Sequence, residues 1–181
     1  MATKSSREKP RAKVHIDGAN VFYTQRKLGW TIDWERVKEV LSQELDVLEF
    51  RYYTGVKDGD EAMPRYLRYL DKIGFTTITK PLKKIAIDKD HPAWKLHGYT
   101  YVYKANFDVE MTADILLERG DLDCVVLFSG DSDFADLAGR LRDLGKAMVV
   151  YSSRKTLSWE LKLACQEYRY LEDSRDAFER R

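Results

Sequence analysis

Aspartates recur in this chain where an apolar run gives way to a turn. Asp131 and Asp133 follow Ser129-Gly130, directly behind the apolar run Cys124–Phe128. Asp17 closes Ala12-Lys-Val-His-Ile-Asp17 and leads into Gly18-Ala19-Asn20. Asp108 lies in Asn106-Phe-Asp108-Val-Glu-Met-Thr-Ala-Asp114, ahead of Leu116 and Leu117. Carboxylates gathered in one cleft repel and take up protons unless a divalent cation neutralises them. A set without Cys or His neighbours favours hard cations, Mg2+ or Mn2+. Such a set suits phosphodiester hydrolysis, where metal activates water and steadies the leaving oxygen. Each acid also has a plainer reading. Asp and Ser are preferred helix caps, and acids in a first turn favour the helix dipole. The two readings separate on whether the carboxylates converge.

The elements that must position them follow from periodicity. Cys124–Phe128 is uninterrupted and Val-rich, as in a strand buried on both faces of a parallel sheet. Behind it Phe134, Leu137, Ala138, Leu141 and Leu144 recur at helical spacing. Residues 12–17 read as a first strand, with a helix starting near Val21 and Asn20 as its cap. Gly18 would let the backbone approach whatever Asp17 holds. His15, two residues inside the edge, reads as a packed or hydrogen-bonded histidine. A helix through Leu45 carries Val37, Val40, Leu41 and Leu45. A strand over 47–56, a helix over about 61–73 with Tyr66, Leu67, Leu70 and Ile73 inward, and a strand over 75–79 come next. Val109, Ala113, Leu116 and Leu117 suggest the buried face of the helix bearing Asp108, with Asn106 capping it. Asp114, rotated off the Asp108 direction, reads as a supporting hydrogen bonder. Ala147–Tyr151 is the last clear strand, a helix spans about 157–165, and residues 172–181 read as a charged tail.

Strands alternating with helices imply one three-layer α/β domain over residues 12–171 with a mostly parallel sheet. In such sheets ligands bind at the carboxyl ends of the strands, where all these acids fall.

Lys80–Lys104 differs in character. Lys83, Lys84, Lys95 and Lys104 alternate with Trp94, Tyr99, Tyr101 and Tyr103. Interleaved cations and rings suit single-stranded nucleic acid, through phosphate contacts and base stacking. The alternative is a solvated hairpin whose lysines guard its edges. Arg154 and Lys155, just past the last strand, stand where they could meet phosphates.

Composition sets the frame. With 31 basic and 30 acidic residues the net charge is +1, so no global field announces a polyanion partner. Cys124 and Cys165 sit in apolar contexts without metal spacing, consistent with a reducing compartment. No apolar run reaches the roughly 20 residues of a membrane span, and residues 1–11 form a basic arm without a signal-like apolar core. A cytoplasmic protein without a membrane partner is the expectation; a homodimer remains open.

Three blocks also carry a resemblance. Val-His-Ile-Asp17-Gly-Ala-Asn20, Phe-Asp108-Val-Glu-Met-Thr-Ala-Asp114 and Leu-Phe-Ser-Gly-Asp131-Ser-Asp133-Phe resemble the signature blocks of NYN domains, the PIN-like ribonuclease family that includes the LabA-like bacterial proteins. The resemblance implies a PIN-like fold and a metal-dependent nuclease acting on RNA, single-stranded or structured. Carried over, Asp17, Asp108 and Asp131 match the family's metal-binding acids, Asp133 a fourth acidic position and Asn20 the signature asparagine. Asn20, Asp114 and Ser129 would support the acids from behind. Where the family often has Lys-Gly-Val before its middle Asp, this chain has Ala105-Asn106-Phe107. Two competitors remain. One is an RNA-binding or regulatory module with little turnover. The other is a HAD-like phosphatase, which wants Asp-x-Asp after the first strand, where this chain has Gly18-Ala19.

Overall fold

The central strand of the molecule is β6 (Cys124–Phe128), every residue of which is buried. The computed structural model describes residues 9–181. Around β6 lie β1 (Arg11–Asp17), β2 (Asp46–Val56), β3 (Thr76–Pro81), β7 (Ala147–Ser152) and β8 (Glu167–Tyr170) in a six-stranded sheet of order β3-β2-β1-β6-β7-β8. All five pairings are parallel. The winding reverses between β1 and β6, so the carboxyl ends of these two strands flank the switch point where such sheets bind ligands.

Alternation along the strands divides the core. Ala12, Val14, Ile16, Phe50, Tyr52, Val126 and Phe128 face α1 (Gly18–Leu28), α2 (Trp34–Glu44) and α3 (Ala62–Lys72) through Val21, Trp34, Val37, Leu41 and Leu70. Tyr53, Val125, Leu127, Met148 and Val150 face the other way. They meet α5 (Asp108–Glu118), α6 (Ala135–Asp143) and α7 (Trp159–Ala164) through Phe107, Met111, Ile115, Leu137, Leu141 and Leu161. The result is the three-layer α/β fold expected from the pattern.

Between β3 and α5 the chain leaves the sheet. β4 (Lys83–Ala86) and β5 (Tyr101–Lys104) pair antiparallel, with α4 (Pro92–His97) between them. The root of this ribbon is clamped at Gly55, near the end of β2: a Cβ there would lie 2.4 Å from Leu82 Cδ2 and 2.9 Å from Ala105 Cβ. A side chain there would have to push Leu82 and Ala105 aside.

Four expectations are corrected. The α5 face is rotated: Phe107, Met111 and Ile115 are buried, whereas Val109 and Leu117 are 78% and 82% exposed. Residues 172–181, expected as a charged tail, are packed on the domain. They form α8 (Arg175–Phe178), whose Phe178 is buried against Phe128 and Tyr151, while Ile32 bridges to Glu179. Glu167–Tyr170 pairs with β7 as a short edge strand. Helix α1 begins at Gly18 and is capped by Asp17, not Asn20. Of the basic arm read over residues 1–11, all but Lys9–Arg11 lies outside the described residues; Lys9 Nζ donates to the Ser42 carbonyl at 2.6 Å and Arg11 opens β1.

Candidate metal centre

The turn after β6 and the start of α5 bring Asp108, Asp131 and Asp133 together. One carboxylate oxygen from each lies within 4.8 Å of the others. Asp131 caps the 3-10 turn Ser132–Phe134, its Oδ1 accepting from Asp133 N–H at 3.1 Å. Asp108 opens α5, with its N–H donating to Asn106 Oδ1 at 2.9 Å. The capping and clustering readings are therefore both realised, since a carboxylate that caps through one oxygen keeps the other free.

Asp17 stands outside the group of three. Its Oδ1 accepts from Asn20 N–H at 3.0 Å and its Oδ2 accepts from the Ser129 hydroxyl at 3.0 Å. Ser129 Oγ in turn accepts from Asp131 N–H at 3.2 Å, so Asp17 and Asp131 are joined through one buried hydroxyl. Asn20 Oδ1 accepts from Gly130 N–H at 3.0 Å. The turn after β1 is thus stitched to the turn after β6 by Asn20 and Ser129, which gives those two residues a structural reason beside the acids.

A further link was invisible in the sequence. Thr24 Oγ1 donates to Thr156 Oγ1 at 3.0 Å, and Thr156 Oγ1 also lies 3.0 Å from the hydroxyls of Ser152 and Ser153. It ties α1 to the loop after β7. Gly18 is required by close approach from behind: a Cβ there would lie 2.6 Å from the Tyr53 carbonyl.

The electrostatics mark the strain of the arrangement. Burial raises the Asp108 carboxyl above its ordinary value, and repulsion from Asp131, Asp17 and Asp133 adds to it; the Asn106 hydrogen bond opposes. Asp17 is likewise raised, first by burial and then by Asp131, against the bonds from Asn20 and Ser129. His15 is buried, 1% exposed, and burial drives it down to about 3, so it stays neutral. The donor set is all carboxylate oxygen, which fits a hard divalent cation.

A pH dependence follows. A raised carboxyl costs the folded state stability while ionised, and that cost disappears as pH falls through the raised value. A cation needs the ionised form. The rise in unfolding midpoint produced by Mn2+ should therefore shrink as the pH drops from neutral toward the raised carboxylate range. A thermal-shift series over pH checks this, and a constant Mn2+ effect would contradict it.

The residues expected to meet phosphate divide. Lys83 pairs across the ribbon with Lys104, and Lys84 Nζ lies 3.8 Å from the Tyr101 ring centroid. Lys57 Nζ sits 4.6 Å from the Tyr103 ring, and Lys89 Nζ 5.9 Å from that of Trp94. Lys155 is exposed. Two members are already engaged. Lys95 lies 3.5 Å from Asp90, and Arg154 pairs with Asp173 at 2.8 Å and stacks over Tyr170. Arg154 is therefore paired with the C-terminal segment.

Comparison with known proteins agrees with the geometry. The family model described as NYN domain matches residues 11–172. The chain is 32% identical over 172 residues to the "Low amplitude and bright protein LabA" of Synechococcus elongatus, covering 94% of this chain and 88% of that one. A crystal structure of a protein of unknown function, VPA0982 from Vibrio parahaemolyticus, superposes with a TM-score of 0.76 at 25% identity, covering 97% of this chain and 99% of that one. Sheet order, acid placement and these matches lead to one conclusion: the chain belongs to the NYN domain family.

Proposed function

We propose that this protein is a metal-dependent ribonuclease that hydrolyses RNA phosphodiester bonds at the Asp108–Asp131–Asp133 cluster. The observation that carries the reading is the convergence of those three carboxylates within 4.8 Å at the switch point of the sheet. Asp108, Asp131 and Asp133 would hold Mg2+ or Mn2+, with Asp17 adding its charge from behind Ser129. The bound cation would supply a more acidic water and charge stabilisation at the leaving oxygen. Asn20 and Ser129 hold the two acidic turns in register. His15, neutral and buried, carries no part of the proton transfer.

RNA would run from the ribbon toward the acids. Lys83 and Lys104 face each other directly across β4 and β5, an arrangement that costs stability unless an anion bridges them. Neither has a carboxylate within ion-pair distance among the described residues. Exposed Tyr101 and half-buried Trp94 offer stacking faces, and base stacking contributes about 1–3 kcal/mol per base. If these lysines meet phosphates, log affinity for a single strand falls with log salt by about 0.7 per contact. Replacing Lys83, Lys84 and Lys104 with Ala should flatten that slope by about 2. Fluorescence anisotropy across a salt series measures it. An unchanged slope would reduce the ribbon to a solvated hairpin.

A single-turnover assay on end-labelled RNA tests the reaction itself. Cleavage with Mg2+ or Mn2+ that stops in EDTA is the expected result. Binding without cleavage would make the protein an RNA-binding module of the same family.

The fold places no helix long and apolar enough to cross a membrane among the described residues. We assign the protein to the cytoplasm on its free cysteines and its proposed substrate.

A further inference from the structure

Tyr53 touches α5 at two points that bracket Asp108. Its hydroxyl donates to Asp114 Oδ2 at 2.8 Å, and its ring meets the Phe107 ring edge-on at a centroid distance of 6.0 Å. Phe107 immediately precedes Asp108, and its carbonyl accepts the first helical bond of α5, from Met111 N–H at 2.8 Å. The tyrosine itself is fixed. It is 1% exposed on β2, and its ring stacks on His15 at 5.9 Å.

The hydrogen-bond direction is determined by proton count. Tyr53 has one hydroxyl proton, which goes to the carboxylate. The His15 Nδ1, 3.1 Å from the Tyr53 oxygen, must then be the protonated ring nitrogen and donate to it. Neutral His15 is left with a bare Nε2, which has no partner among the described residues. Arg51 Nη1 lies 3.4 Å from the same Asp114 oxygen. The tyrosine hydroxyl therefore donates to Asp114 and accepts from His15, with the Arg51 guanidinium beside it, and rotation would break these bonds.

An anchor is needed because Asp108 is repelled by Asp131, Asp17 and Asp133. Around Asp108 the helix is held by the packing of Phe107, by the Lys80–Glu110 ion pair in its first turn and, further along, by Tyr53 and Arg51 at Asp114. We propose that the Tyr53–Asp114 hydrogen bond is a positioning latch, which sets α5 so that the Asp108 carboxylate stays within reach of the cation held by Asp131 and Asp133. The proposal rests on the metal-centre reading above.

Tyr53→Phe removes the hydroxyl and keeps both ring contacts. Mn2+ affinity, read from the metal dependence of the unfolding midpoint, should fall about 10- to 100-fold, the usual effect of losing a partner behind a ligand. In the cleavage assay kcat should fall with KM held within about twofold. Asp114→Asn keeps an oxygen for the tyrosine hydroxyl and should stay within about threefold of wild type, whereas Asp114→Ala should match Tyr53→Phe. The double variant Tyr53→Phe/Asp114→Ala should be no worse than Asp114→Ala alone. Equal Mn2+ affinity in Tyr53→Phe and wild type would overturn the latch and leave the metal centre standing. So would an Asp114→Asn variant as weak as Asp114→Ala, because charge and not position would then matter. A wild-type protein indifferent to Mn2+ would remove the metal centre, and the latch with it.

Discussion

Asp131→Asn should lower the proposed metal-dependent RNA cleavage at least about 100-fold, the loss expected when a principal electrostatic contributor is removed. The substitution is nearly isosteric. Asn keeps an oxygen to accept from Asp133 N–H, and Asn is as good a helix cap as Asp. Its backbone N–H still donates to Ser129 Oγ. What disappears is one negative charge in a cluster of three carboxylates. The folded structure should persist while cation binding and catalysis fail together. Single-turnover cleavage by wild type and variant, purified side by side, gives the comparison. A variant with more than about a tenth of the wild-type rate would make Asp131 a cap only.

Of the glycine-to-alanine changes, Gly130→Ala should be the most damaging. A Cβ at that position would lie 2.1 Å from the Thr156 carbonyl oxygen and 2.6 Å from Ser152 Oγ. Neither backbone can step aside easily. Gly130 N–H donates to Asn20 Oδ1 at 3.0 Å, and the Gly130 carbonyl accepts from Ser158 N–H at 2.9 Å. Overpacking of this kind costs about 1–3 kcal/mol and here should reach the upper end or exceed it. For a chain of this size that is a fall in midpoint of roughly 5–10 °C. Gly120→Ala is the matched control, because a Cβ there meets nothing within 4 Å; it should stay within about 0.5 kcal/mol of wild type. Thermal unfolding of the two variants decides it. Equal midpoints would mean that the loop after β7 is free to move.

The placement of Asp17, Asp131 and Asp133 was legible because they follow strands whose patterns are clear, whereas Asp108 showed itself only at the start of a helix. Cys124–Phe128 is apolar without interruption, and its observed boundaries coincide with the apolar run. The docking face of α5 was not legible. Val109, Ala113 and Leu117 repeat at four-residue spacing as well as Phe107, Met111 and Ile115 do, and periodicity alone cannot choose between two apolar stripes on one helix. Tertiary contact with Tyr53 and Val125 chose the second. β8 escaped notice because Glu167-Tyr-Arg-Tyr170 is a short polar edge, paired on one side alone. The charge of residues 172–181 hid Phe178, the buried aromatic of that segment. Tyr52 and Tyr53 look alike in sequence, yet β-strand alternation sends one to each face, and only Tyr53 reaches Asp114. The Thr24–Thr156 bond joins residues 132 positions apart and leaves no local trace.

The central claim is that three carboxylates are gathered to hold a cation. The unfolding midpoints of wild type and Asp131→Asn, in EDTA and in Mn2+, address it most directly. In EDTA the variant should melt at the same temperature as wild type or higher, since one repelling charge is gone from the cluster. Mn2+ at about 100 times its dissociation constant should stabilise the wild type by roughly 2.7 kcal/mol, and the variant by much less. Equal shifts in the two proteins would contradict the account, because the cation would then be bound elsewhere and Asp131 would be left as a helix cap.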